Sequence, residues 1–474
     1  MKRRNLLIGA ASCLPAPGLL RGASAAEPGA PLPIPPLIEV GGSGAALLEA
    51  VDGTQGFLAG RGTAVRGFSQ PFLGPVLRLK RGATARIDVR NRLREAITVH
   101  WHGLHVPGAV DGGPHSEIAP GALWQPALEI DQPACTAWYH SHRHGLTGPQ
   151  VYSGLAGMLL IDESGSREPG VPQRYGIDDL PLIVQDRAFA ADGRLLYAAG
   201  GMAMMAGVRG DRIVVNGAIQ PVASVPAGIV RLRLLNASNA RILHLRFEDG
   251  RVMHQIASDG GLLPRPVAQR TLTLATGERA EVLVDFSDGT PARLLSAPDT
   301  NSPMMGMMGG GMGGMGGMGR GRGGAMGGMG MSAEPVAVAQ DGAFEVLRLR
   351  VDRAQTVVVP SLPAQMAQAA PGPNLGEPVR RRRFVLDSMG GMAGGGGMGG
   401  GMGMMGMTIN GRAFDMSRID LRARRGETEL WEVRAGDMAH PFHVHGTSFQ
   451  VLSRNGQAVD FASTGWKDTV LVDG

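Results

Sequence analysis

Histidines two residues apart recur at His100/His102, His140/His142 and His443/His445, in segments that lie far from one another along the chain. With 12 histidines in the chain, random placement gives only about 0.3 such pairs. Four occur once the overlapping His142/His144 is counted. On a strand, residues i and i+2 project from one face roughly 6.5 to 7 Å apart, so one pair can ligate two metal ions lying a few Å from each other. The fold is thereby constrained: distant strand segments must converge to enclose one compact polynuclear site.

Cysteine usage limits the chemistry further. The chain has two cysteines, Cys13 and Cys135, and neither stands near His440. A blue copper site takes two imidazoles, a thiolate and a weak axial thioether. Of that set only His440 is at hand.

Longer motifs surround the histidines: Val99 to Gly108 (VHWHGLHVPG), Asp111-Gly112-Gly113-Pro114, Asp131-Gln132-Pro133, Trp138-Tyr139-His140-Ser141-His142, Ile409-Asn410-Gly411, Ala413 to Met416, His440 to His445 (HPFHVH) and Gly465 to Val470 (GWKDTV). Together they resemble bacterial multicopper oxidases, nearest to the periplasmic copper efflux (cuprous) oxidases, over nearly the whole mature chain. The family's fourth motif, His-Cys-His with a further His and Met, is not reached before Gly474.

The resemblance implies roles position by position. His100 and His443 would hold a type 2 copper, His102, His140, His142 and His445 a type 3 pair, and His440 a type 1 copper, with Pro441 helping to turn His440 and His443 toward different sites. Asp111 matches an acidic residue that helps deliver protons, although the spacing alone equally fits a turn aspartate capping Gly112-Gly113. Asp437 and Met438, with Met389 and Met392, resemble a substrate-copper site beside the type 1 copper, one residue shorter before His440 than in relatives. His105, His115, His144, His244 and His254 are expected in surface or hydrogen-bonded structural roles, and Met416 and Trp466 in a core.

Short alternating runs separated by Gly, Pro and Asp turns begin near Leu37, as in Val76–Leu79 and Ala85–Val89, the signature of an antiparallel sandwich. A second set includes Leu182–Val184, Ile213–Val215, Val230–Leu235, Glu281–Phe286 and Val346–Leu349, and a third Leu430–Val433 and Phe449–Leu452. Asn216-Gly217 and Asn410-Gly411 read as tight turns. The expected fold is all-β, with three cupredoxin-like Greek-key β-sandwich domains, the third incomplete: 37–165, 178–353, a linker at 354–379, and 380–474.

Two tracts, 304–331 and 389–407, hold 17 of the 26 methionines among glycines and almost no other apolar side chain. Nothing there offsets the entropy of ordering, so mobile loops are expected. Flexible thioethers suit a soft cuprous ion; a drifted Gly/Met repeat without a role is the alternative.

Residues 1–26 read as an export signal, with Lys2-Arg3-Arg4, a short apolar run and Ala23-Ser24-Ala25 before Ala26. Arg3-Arg4 suggests the twin-arginine route to the periplasm, with an ordinary secretory signal as the rival. Removing Lys2, Arg3, Arg4 and Arg21 takes the formal charge from +5 to +1, so the basic balance does not point to nucleic acid. Arg380–Arg383 reads as a solvated strand start. No stable membrane insertion is expected, and the protein is expected to be a monomer.

The expected activity is one-electron oxidation of Cu(I), with phenols as further donors, coupled to four-electron reduction of dioxygen to water in copper tolerance. A laccase-type oxidase of organic substrates is the alternative. If Gly474 were a natural terminus, a non-catalytic copper-binding protein without the type 1 copper would fit better.

Overall fold

The structure is a computed structural model that describes residues 29–41, 45–165, 167–197, 207–299, 343–387, 407–436 and 438–473. The export signal (1–26), both Met/Gly tracts apart from Met407, and Asp437, Met389 and Met392 lie outside the described residues.

Strands form where alternation asks for them. In Thr84–Asn91 the buried Ala85, Ile87, Val89 and Asn91 alternate with more exposed Thr84, Arg86, Asp88 and Arg90, so one face packs while the other meets solvent. Ile229–Asn236 is buried along its whole length, as a strand covered on both faces must be.

In the first unit, a five-stranded sheet runs in the order Leu37–Glu39, Val76–Lys80, Ala156–Asp162, Cys135–His140, His100–His102. It packs on a second sheet built from Arg61–Phe68, Ala46–Leu58, Thr84–Asn91, Leu123–Trp124 and Ala127–Glu129. Leu48, Phe68, Ile87, Trp101, Tyr139 and Leu159 fill the space between them. The second unit repeats the arrangement with seven- and five-stranded sheets around Leu232, Val282, Leu245, Leu294 and Leu347. The third has a four-stranded sheet centred on Arg380–Asp387, paired with Glu429–Ala435, and a two-stranded ribbon of His440–His443 with Thr469–Val472. Phe72, Trp138 and Met158 of the first unit meet Ile183, Val214 and Leu235 of the second in one apolar cluster.

Three expectations need correction. The first unit is mixed rather than antiparallel: Leu37–Glu39 and Ala156–Asp162 run parallel to Val76–Lys80, and Ala46–Leu58 runs parallel to Thr84–Asn91. Alternation records which face of a strand is buried, not the direction of its neighbour. Phe449–Leu452 is not a strand, because Phe449 makes a single bridge to Lys467 and no ladder continues from it. Met416 is 37% exposed instead of packed in a core.

Both expected tight turns are present. Asn216 and Gly217 have φ of 51° and 90°, and Asn410 and Gly411 have 53° and 71°, the doubly positive values that fit the twist of a two-residue hairpin. Asn455-Gly456 forms a third such turn, with φ of 50° and 78°.

Candidate metal centre

Sheet register brings the first two histidine pairs together. His100–His102 pairs antiparallel with Cys135–His140, so His100 stands opposite His140 and His102 opposite Trp138. Gly112, with φ of 76°, closes the approach from the next loop; a Cβ there would fall 1.7 Å from the Val99 carbonyl oxygen. His142 lies two residues past its strand, and its backbone N–H donates to Thr98 Oγ1 at 2.7 Å. The third pair comes from the far end of the chain. His443 stands opposite Thr469 in the ribbon, and His445 follows in a turn.

Six imidazoles meet in one space. His100 stacks on His445 with centroids 3.9 Å apart, and His102 stacks on His443 at 3.7 Å. His100 lies 5.4 Å from both His140 and His142, and His142 lies 5.1 Å from His445. Each stacked pair joins a ring of the first unit to one of the third. Within the pairs two residues apart, centroids are 5.6 Å (His100/His102), 5.7 Å (His140/His142) and 4.9 Å (His443/His445). His440 opens the same strand as His443, opposite Val472. Residues three apart on a strand face opposite sides, so strand alternation alone separates the two side chains.

Hydrogen bonds hold the outer nitrogens. His100 Nδ1 donates to the Asp111 carbonyl oxygen at 3.1 Å, His140 Nδ1 to Ser141 O at 2.8 Å, and His443 Nδ1 to Asp468 O at 2.9 Å. His445 Nδ1 lies 2.8 Å from Asp111 Oδ2. Among the described residues, the Nε2 atoms of His100, His140 and His443 are buried without a hydrogen-bond partner. A buried polar atom left unpaired is costly, and three lone-pair nitrogens of neighbouring rings fit metal ions. His100, His102 and His140, and likewise His100, His443 and His445, present ligand atoms within 4.8 Å of one another.

Burial favours the neutral form of the four rings from the first unit, the form that ligation requires. Desolvation pulls His100 down to about 4 against the opposing Asp111, and pulls His142 down to about 4 with help from His100 and His445. His102 and His140 are pushed well below the ordinary histidine value, chiefly by burial. For Asp111, burial works upward, but the hydrogen bonds to His100 and His445 outweigh it and hold the carboxyl below the usual carboxylate range.

Asp111 is buried beside the rings, with Oδ2 3.1 Å from His100 Nδ1, a position that the proton-delivery and turn-capping expectations both accommodate. Met438 is half-buried two residues before His440. Several residues had no assigned role from sequence. Asp468 Oδ1 lies 3.3 Å from His102 Nε2, and the Arg279 guanidinium grips both its oxygens at 2.8 and 2.6 Å. Against burial, Arg279 holds the Asp468 carboxyl far below its ordinary value. Asp259 accepts from Arg279 and Lys467, and Lys467 also pairs with Glu278. The second unit, which gives no histidine to the cluster, thus braces it through buried charges. The Trp466-Lys467-Asp468-Thr469 run was the available signal.

Two multicopper oxidase family profiles match the chain, over residues 51–166 and 396–474. The cell division protein FtsP of Escherichia coli (strain K12) is 35% identical over 474 residues, covering 100% of this chain and 91% of that protein. Among solved structures, the laccase-like multi-copper oxidase CueO from Ochrobactrum sp. is 38% identical with a TM-score of 0.78, over 94% of this chain and 91% of that one. A Campylobacter jejuni multicopper oxidase described as a metallo-oxidase is 25% identical with a TM-score of 0.73, over 94% and 88%. These likenesses make the three units cupredoxin-like. No helix among the described residues is long and apolar enough to cross a membrane. Identity at this level over nearly the full length of its relatives, together with six converging histidines, places the chain in the multicopper oxidase family.

Proposed function

We propose that this protein is a copper-dependent oxidase that couples one-electron oxidation of a reducing substrate to the four-electron reduction of dioxygen to water. The observation that carries this reading is the set of buried, unpartnered Nε2 atoms of His100, His140 and His443 turned into one histidine-lined space. In this reading His100 and His443 hold the type 2 copper, His102, His140, His142 and His445 the type 3 pair, and His440 belongs to the type 1 copper. Copper bound there would supply reversible one-electron chemistry, as the reduction of dioxygen by single-electron donors requires. The chain's own groups orient the rings. In this reading Asp111, whose Oδ2 faces His100 and His445 and whose Oδ1 is buried without a hydrogen-bond partner among the described residues, helps deliver protons to the cluster.

Cu(I) is the favoured electron donor, in copper tolerance, because 17 thioethers are concentrated in two tracts and soft ligands select cuprous ion. Asp437, Met438, Met389 and Met392 form the proposed substrate-copper site. Domains at 37–165, 178–353 and 380–474, export by the twin-arginine route and a monomeric state complete the reading. Copper-loaded protein should consume dioxygen when supplied with Cu(I), and deleting 304–331 and 389–407 should lower that rate while sparing oxidation of a phenol. Absence of dioxygen uptake with either donor would sink the proposal.

A laccase-type preference is the second reading, since the Ochrobactrum relative is described as having oxidase activity towards lignin model compounds. A higher kcat/KM for a phenol than for Cu(I) would favour it. The FtsP relatives suggest a role in cell division instead. Rescue of a division defect by a chain lacking the cluster histidines would favour that role.

A further inference from the structure

A chain of polar side chains runs from between His140 and His142 toward the surface of the first unit. Ser141, which separates the two histidines, is fully buried. Its backbone N–H donates to Leu155 O at 3.1 Å, and its carbonyl oxygen accepts from His140 Nδ1 at 2.8 Å. Its hydroxyl donates to Gln150 Oε1. Gln150 lies in the helix Thr147–Ser153 and is itself fully buried. Its amide nitrogen donates to Glu95 Oε1 at 2.8 Å and to Ala96 O at 3.0 Å, and Glu95 also accepts from Arg66 Nη1. Thr98, two residues past Ala96, accepts the His142 N–H at 2.7 Å. One amide therefore ties the residue between the two rings to the stretch that supports the second of them.

We propose that Gln150 is a positioning residue for His140 and His142, acting through the Ser141 hydroxyl. The proposal rests on the reading above for copper as what these rings bind, but not for their placement. The amide has one orientation open to it: a carboxylate oxygen and a backbone carbonyl only accept, so the nitrogen faces Glu95 and Ala96 and the oxygen faces Ser141. A carboxylate at 150 would set a second oxygen against Glu95 Oε1 and Ala96 O. A thioether would leave the Ser141 hydroxyl and Ala96 O buried and unpaired, which is costly. The helix that carries Gln150 is in turn held from the second unit. Asn239 Nδ2 donates to Gly148 O at 2.9 Å, and the buried Arg187 donates to Val151 O at 3.3 Å while its guanidinium lies 4.3 Å from the centre of the Tyr152 ring. The second unit thus reaches His140 by way of this helix.

The test uses full-length protein with 15N-labelled histidine, read free of copper at neutral pH by proton–nitrogen correlation of the imidazoles. The signals of His140, His142 and His443 are identified by their loss in the corresponding His→Gln variants. Gln150→Met should move the His140 and His142 signals and leave that of His443 in place. Copper retention, measured by competition titration against a chelator, should weaken roughly 10- to 100-fold, the usual result of losing a group behind a metal ligand. Ser141→Ala should weaken it as well, and the double variant should lose no more than Gln150→Met alone, because the two changes break the same hydrogen bond.

A Gln150→Met protein that melts earlier but keeps its His140 and His142 signals where they were would show a purely structural residue and overturn the proposal. Copper losses that add in full in the double variant would do the same. If Gln150→Met does not fold, Ser141→Ala takes its place in the ring measurement, since it removes the hydrogen bond from the other end, and an unmoved His140 signal there counts against the idea. Failure of wild-type protein to take up copper would refute the functional reading alone, because the copper-free ring signals decide this one.

Discussion

At the scale of single residues, the two carboxylates behind the cluster divide its two cross-unit stacked pairs between them. Asp111 serves the stacked pair His100/His445, and Asp468 serves His102/His443. Groups behind metal ligands fix ring orientation, and losing one typically weakens metal binding roughly 10- to 100-fold. Asp111→Asn should therefore weaken copper retention by that order in a competition titration against a chelator, and unchanged retention would show that His100 and His445 orient without it. The depressed histidines also predict a pH dependence of folding. Their unfolded value is 6.5, whereas His100 and His142 fall to about 4 when folded, so between those values the unfolded chain binds more protons and copper-free protein loses stability as pH falls. A shift of that size corresponds to about 3 kcal/mol per group. The melting temperature of copper-free protein should drop between pH 6.5 and 4, and a flat profile there would contradict the burial argument. The histidines were legible because their spacing of two is itself a geometry. Asp468 and Arg279 were not, since a lone acid and a lone base 189 residues apart carry no periodic signal and meet only through tertiary packing.

At the scale of elements, the turns show what sequence reports well and what it omits. Asn216-Gly217 and Asn410-Gly411 were readable because the doubly positive φ of a two-residue hairpin favours these residue types. What surrounds each turn was not readable. A Cβ on Gly217 would meet Phe72 Cδ1 at 3.2 Å and Gln55 Nε2 at 3.3 Å, whereas one on Gly411 would meet nothing within 4 Å among the described residues. Gly411→Ala should therefore cost about 1 kcal/mol, the backbone penalty alone, and Gly217→Ala more. Denaturant titration of both variants checks this, and equal losses would mean the loop around Phe72 simply yields. Strand direction was missed for a related reason: burial alternates identically in parallel and antiparallel pairs, so Val76–Lys80 gave no hint that both of its neighbours run parallel to it.

At the scale of the whole molecule, the three units differ in how much of their backbone is shielded. Ile229–Asn236, central to the second unit, is buried at every position, while Arg380–Asp387, central to the third unit's sheet, buries only Leu386. Val379 and Ile419 of the third unit are 64% and 66% exposed. Its sheet gains little from apolar burial, and its cross-strand pair Arg383–Glu432 lies largely in solvent, where an ion pair contributes little. The ribbon of the same unit is a different case. Asp468 and Thr469 are buried and tied to Arg279 and Asp259, and breaking such a buried pair from one side costs about 3 to 5 kcal/mol. Local opening follows local burial, so the third unit should not open as one body. Amide hydrogen exchange should be slow for Ile229–Asn236, fast for Arg380–Asp387 and Glu429–Ala435, and slow again for Thr469–Val472. Arg279→Met should accelerate exchange at Thr469–Val472 while leaving Arg380–Asp387 as it was. Uniform exchange across the third unit, or no response at the ribbon, would show that the buried charges between units do not hold the last histidine pair against the first two.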